Sequence, residues 1–424
     1  MIKKLSAFSL IFLTIFTTQA KNNFPQPGFI CVPVADLLAE KINSYKLANS
    51  TTQAYNTIPL SWGPAEKNRR FFPRVHQALL HETVTVLAQD NDECLIEIHN
   101  AFSLPEGKRT PQATYWTHKK NIRLFSQLPD TSQATELLPS AVSFKNNVID
   151  NTYVATLKMP FFDSAMQQAY SAGTRFKIAT RRSTQVTVNV YNISSGKFTT
   201  LNLPRNLCHI EKYAQGFLSH TASVNEFIAL LRRWTHLPEG FIPLVWGGCS
   251  FKDIAKQTAF TLEHMSMPNH KQFSYWKRSD CRTTYSGFDA SGLILRATQI
   301  CGIPYFAKNS ATAQRCLQPV TIAQDVQDGD ILWFPGFIGV ISSVKENKLI
   351  GALSYTWGYG KVFEAPLAQF FNNITTVADL YTAQHTHTPL ECLDSAGQVK
   401  KTVKEFKVLK LQSAWQFTVA DIAL

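Results

Sequence analysis

Gly287-Phe288-Asp289-Ala290-Ser291-Gly292-Leu293 is the stretch whose reading decides this chain. It runs into a helical segment, 294–301, which Gly302 stops and Pro304 follows. Upstream, Ser223-Val224-Asn225-Glu226 has the Ser/Glu spacing of a capping box. Phe227, Leu230, Leu231 and Trp234 then recur at helical spacing and lead to Leu244-Val245-Trp246-Gly247-Gly248. Downstream lie Lys308-Asn309-Ser310-Ala311-Thr312-Ala313-Gln314 and Gln327-Asp328-Gly329-Asp330-Ile331-Leu332-Trp333-Phe334. Segments 337–344 and 348–353 predict a hairpin across Lys345-Glu346-Asn347.

These four ordered elements resemble the NlpC/p60 cell-wall cysteine peptidases. The first stretch is similar to that family's Asp-Cys-Ser-Gly-Leu signature, and Leu244 to Gly248 to its Tyr-Leu-Trp-Gly-Gly element. The Asn309-Ser310 stretch resembles its Asp/Asn/Thr-Ser element, and Asp328 to Phe334 its Gly-Asp-Leu-Val-Phe-Phe strand. The resemblance implies a papain-like α+β domain over 220–386, interrupted by a long insertion, 249–286. It also implies a thiol at the start of a helix, where the dipole and free N–H groups favour the thiolate. Ala290 stands there instead, and a methyl cannot attack a carbonyl.

The rest of the expected triad is missing too. A thiol needs a base, and the base needs an orienting partner. By the strand resemblance, the base position falls on Phe337 and the orienting position on Gly351. No histidine occurs between Lys271 and Gln384. The resemblance implies a groove for a short peptide containing D-Glu and a diamino acid, with Ser291, Asn309 and Ser310 at its gripping positions, and Trp246 and Asp289 are further binding candidates. Cys249 and Cys281 are the candidates for a relocated nucleophile, with His264 and His270 in the insertion. No CxxC pair and no spaced ligand set predicts a metal, and no motif predicts a cofactor. His385-Thr386-His387 would share a face if it were a strand.

The start of the chain reads as a signal peptide over 1–20: Lys3 and Lys4, an apolar centre, then Thr18-Gln19-Ala20. Its apolar run of about a dozen residues is too short to span a bilayer, which takes roughly 20. Export, periplasmic or to the surface, follows as an expectation, with no transmembrane segment in the mature chain. The formal net charge is +12, and losing Lys3 and Lys4 leaves about +10. That balance suits an anionic envelope. No basic run is interleaved with aromatics, which argues against nucleic acid. Eight cysteines in an exported chain permit disulfides without fixing their pairing.

The mature chain, about 400 residues, predicts two to four domains. Residues 21–125 read as β-rich, with His81 to Leu87 alternating apolar and polar residues. Residues 126–219 read as a second β-rich unit, with a short helix over 162–170. Both resemble the bacterial SH3-like barrels that precede some NlpC/p60 domains. Residues 387–424 form a C-terminal extension with no family counterpart, 400–411 reading as a strand. The expected architecture is therefore two small SH3-like β-barrels followed by an α+β papain-like domain. The expected function is non-catalytic: binding peptidoglycan stem peptides, or scaffolding an envelope protein. Two alternatives stand beside it, an active endopeptidase or amidase with a relocated thiol, and an adhesion protein that does not bind peptidoglycan.

Overall fold

The computed structural model describes residues 24–45, 47, 50–62, 72–105, 107–130, 136–210, 220–255, 262–266, 274–278 and 284–417. The signal-peptide reading and Cys281 lie outside them, as do the side chains of the hairpin that carries His264. The molecule is mostly β-sheet, in several sheets, with few helices. Among the described residues no helix is long and apolar enough to cross a membrane.

The first sheet has seven strands, all paired antiparallel. From one edge they are Arg74–Leu79, Val34–Leu38, Thr114–His118, Glu93–Ile98, Thr83–Asp90, Gln26–Ile30 and Ile122–Leu124. In Thr83–Asp90 the alternation puts Val84 and Val86 in the core. The second sheet runs Lys197–Pro204, Gln185–Asn192, Arg175–Arg181, Val154–Leu157, Cys208–Ile210. It closes over its own core, with Phe176, Val186, Val188 and Val190 inside.

The helix expected over 162–170 is instead a hairpin, Phe161–Asp163 against Gln168–Tyr170. Tyr170 is buried on Phe176, and Gln167 turns the chain at positive φ, so packing and turn geometry override the local pattern. The capping-box expectation also fails. The helix His220–Thr235 begins before Ser223, which lies buried within it.

The third sheet runs Lys361–Pro366, Lys348–Leu353, Phe337–Ser343, Ile331–Phe334, Lys407–Leu409. The helix Ala290–Ile300 lies on it, apolar on nearly every side and buried throughout its last ten residues. The single strand expected over 400–411 is two strands. Val399–Val403 pairs with Leu390–Leu393, and Lys407–Leu409 joins the third sheet beside Ile331–Phe334. His385 ends a helix, Val377–His385, and stacks on Tyr381, so the His385/His387 pair does not share a strand face.

Polar seams join the first and third units. Arg74, fully buried, donates to Asp36 Oδ1 (2.7 Å) and to the carbonyls of Pro59 and Trp246. Gln77 donates to Tyr285 O and accepts from Ser250 Oγ and Cys249 N. Arg296 reaches back from the central helix to Glu82 (2.8 Å) and to Cys249 O. A buried arginine with each arm satisfied offsets its own desolvation, which is why these charges can sit between two apolar cores. One hydrophobic cluster spans both units, from Ile30 and Ile96 to Trp234 and Leu293.

Candidate functional site

The central helix starts at the floor of an open groove of about 1180 Å³. Asp289 is its N-cap, with extended backbone (φ −84°, ψ 172°) and Oδ1 accepting from Gly292 N–H at 2.5 Å. Its other oxygen accepts from Lys308 Nζ at 3.2 Å, pairing a lysine that is only 5% exposed. Gly292 is required by close approach. A Cβ there would stand 1.9 Å from Gly248 O, so the Trp246-Gly247-Gly248 turn and the helix start touch backbone to backbone. Gly248 has its own reason, since a Cβ there would stand 2.4 Å from Gly287 O and 2.6 Å from Val245 O.

The groove gathers most of the residues singled out from sequence. Trp246, Asp289, Ala290, Ser291, Asn309, Ser310 and Phe337 all line it. Asn309 is committed locally: it caps the helix Ser310–Cys316 and accepts from Thr312 N–H at 2.8 Å. Its side-chain carbonyl therefore serves the backbone first. Gly351 lies beneath the wall rather than on it.

The wall explains why glycine stands at 351. Phe337 is buried, stacked on Phe334 with ring centroids 4.6 Å apart. A Cβ on Gly351 would come within 3.2 Å of the Phe337 ring, and one on Gly339 within 3.1 Å. The ring occupies the space above both glycines. Neither Phe337 nor Gly351 offers a proton acceptor, and Ala290 offers no nucleophile. Among the described residues lining the groove there is no histidine and no cysteine.

A relocated thiol at Cys249 finds no support. Its sulfur is fully buried, donates to Gly292 O at 3.5 Å, and makes no hydrogen bond to a histidine. Burial pushes its pKa up, against the thiolate. The other described cysteines, Cys31, Cys94, Cys208, Cys301, Cys316 and Cys392, are also free rather than disulfide-bonded. Burial raises each thiol, Cys31 and Cys94 to about 11 and Cys392 to about 12. All but the half-buried Cys316 are core residues.

His76 stands behind the groove wall, fully buried, its ring 6.3 Å from that of Tyr115. Burial, with Lys308 and Arg296 adding to it, holds its pKa well below the ordinary range. It is a neutral core histidine. Asp328 and Asp330 are structural too: Asp328 accepts from Val344 N–H, and Asp330 from the N–H groups of Gln327 and Leu411. Among the described residues no cluster of His, Cys, Asp and Glu could hold a metal ion.

Sequence reasoning missed half of the groove. Ser103, Gln112, Thr114 and Tyr115 come from the first unit, and burial pushes the Tyr115 phenol up to about 12. Tyr355, Thr356 and Trp357 come from the loop after the Lys348–Leu353 strand, and Lys400 and Lys401 from the C-terminal hairpin. Only Tyr355-Thr356-Trp357, a partly exposed aromatic cluster at a strand end, carried a local signal.

Among the solved structures this chain is similar to are three whose names carry NlpC. One is an NlpC/P60 family protein from Bacillus cereus, 14% identical, with a TM-score of 0.45, covering 83% of this chain and 96% of that one. Two more are NlpC2 and NlpC1 from Trichomonas vaginalis. They are 10% and 11% identical, with TM-scores of 0.30 and 0.28, covering 82% and 83% of this chain and 94% and 91% of theirs. No family model matches the chain, and no curated protein matches it.

Proposed function

We propose that this is an exported NlpC/P60-like protein that binds a short cell-wall peptide without cutting it. In this reading two SH3-like barrels precede a papain-like domain, and the first barrel forms one side of the groove. One observation carries the proposal. The groove is open and lined by both polar and apolar side chains, while in this reading the positions of nucleophile, base and orienting group hold Ala290, Phe337 and Gly351. Ser291 and Ser310 supply hydrogen bonds for a peptide, and Trp246 and Trp357 supply apolar faces. The open groove also favours peptide binding over adhesion through a blocked site.

Titration of the mature chain with the stem tripeptide L-Ala-γ-D-Glu-meso-diaminopimelate, followed by tryptophan fluorescence and calorimetry, tests this. Saturable binding that Trp246→Ala weakens is the expected result. A flat titration at millimolar peptide would overturn the reading.

A further inference from the structure

The groove holds cations that none of the NlpC/P60-like motifs supplies. We propose that the hairpin Leu390–Leu393/Val399–Val403 is the anion-recognising side of the groove. Its Lys400 and Lys401 would meet a free carboxylate of a short acidic peptide. This rests on the peptide-binding reading above and deepens it.

Charge balance comes first. Asp289 is the only acid among the groove's described lining residues. It is already used by Gly292 N–H and Lys308. Lys308 is thereby neutralised, but Lys400 and Lys401 have no acidic partner among the described residues. The hairpin's own acids serve elsewhere. Glu391 accepts from Asn372 Nδ2, and Asp394 accepts from Ala396 and Gln398 N–H groups within its turn. The mouth of the groove is left net positive, beside walls that exclude part of the solvent, where an ammonium–carboxylate contact is stronger than on an open surface.

Rigidity comes second. Two lysines on a frayed tail would recognise little, because ordering them costs entropy. Here the hairpin is built into the fold. Leu390, Cys392 and Val403 are buried in the core that also holds Phe337. Its turn docks on the aromatic loop: Ser395 N–H donates to Trp357 O at 2.9 Å. Lys401 lies over the Phe334 ring, 5.7 Å from its centroid, and reaches the Pro335 carbonyl at 3.5 Å. The ammonium is thus held at the groove rim by weak contacts that a carboxylate can outbid. A peptide, rather than a lone anion, fits the uncharged hydrogen-bonding groups of Ser103, Gln112 and Ser354 along the same groove.

The test compares the same stem tripeptide with its carboxamide form, in which the carboxylates are amidated. Both are titrated by calorimetry into the mature chain and into Lys400→Gln/Lys401→Gln, whose exposed positions leave the core untouched. Wild type is expected to prefer the acid by about five- to tenfold. The double variant should lose most of that preference while keeping its affinity for the carboxamide. Equal binding of acid and amide by wild type would overturn the inference and leave the peptide-binding reading standing. So would a double variant that discriminates as wild type does. Failure of both peptides to bind wild type would overturn both.

Discussion

At the floor of the groove, Asp289 caps the helix, Lys308 balances Asp289, Gly292 seats the helix on Gly248, and the side chain at 290 is simply too short to react. At the wall, no such frame waits for its missing group. Phe337 fills the space, and Gly339 and Gly351 are glycines under its ring. One region is a framed helix start whose first side chain is a methyl. The other is a repacked core in which ring and glycines fit one another. The contrast teaches that the floor accepts change and the wall does not: placing a thiol at 290 costs almost nothing in packing, whereas placing a histidine at 337 must displace a buried phenyl ring.

The largest effect that could break this contrast lies at the wall. Phe337→Ala should destabilise the protein by about 3–5 kcal/mol, since it empties the space between Phe334 and two glycines that cannot fill it. Urea unfolding measures it. A cost below about 1 kcal/mol would mean that the wall collapses freely and that the ring is no core element.

Both regions hang on the joints between units, and acid should loosen one of them first. His81 is fully buried between the first and second sheets. It accepts from Tyr191 N–H through Nε2 at 3.0 Å, so Nδ1 carries the proton and donates to Arg175 O at 3.1 Å. Burial lowers its pKa to about 4. The folded state therefore holds it neutral while the unfolded chain, at about 6.5, takes up a proton first. Its contribution is complete above about pH 6.5 and is lost as pH falls towards 4, at most about 3 kcal/mol. Unfolding midpoints at several pH values should show this fall, and His81→Gln should reduce it, leaving the share that the buried His76 contributes.

How much of this was legible in the sequence follows the same contrast. The floor was readable because its residues are contiguous: Asp289, Ser291 and Gly292 act within one helical turn, and the motif carries its own geometry. The wall was half readable. Phe337 and Gly351 could be named as positions, but their fit is a contact between strands fourteen residues apart, which no local pattern reports. The first unit's Tyr115 and the hairpin's Lys400 and Lys401 reach the groove only through the assembled fold, from far along the chain. The hairpin at 161–170 was misread as a helix because its turn at Gln167 and the burial of Tyr170 are tertiary facts.

Smaller effects sharpen the picture of the floor. Asp289→Ala removes a helix cap and leaves Lys308 nearly buried without its counter-charge, which should cost about 2 kcal/mol in chemical unfolding. Asp289→Asn should recover part of it, because the amide oxygen can still cap. The smallest change is Ala290→Cys, expected within about 0.5 kcal/mol of wild type. Its thiol, at a helix N-terminus, should be alkylated by iodoacetamide with an apparent pKa below the ordinary value of about 8.5. An inert thiol there would show that the floor is less prepared than its geometry suggests.

Incubating the mature wild-type chain with the stem tripeptide and following the peptide by mass spectrometry tests the central claim most directly, with an active NlpC/P60 enzyme alongside. The account predicts that the peptide stays intact while the active enzyme cuts it. Cleavage between D-Glu and the diamino acid by the wild-type chain would contradict the account and point to a nucleophile elsewhere than position 290.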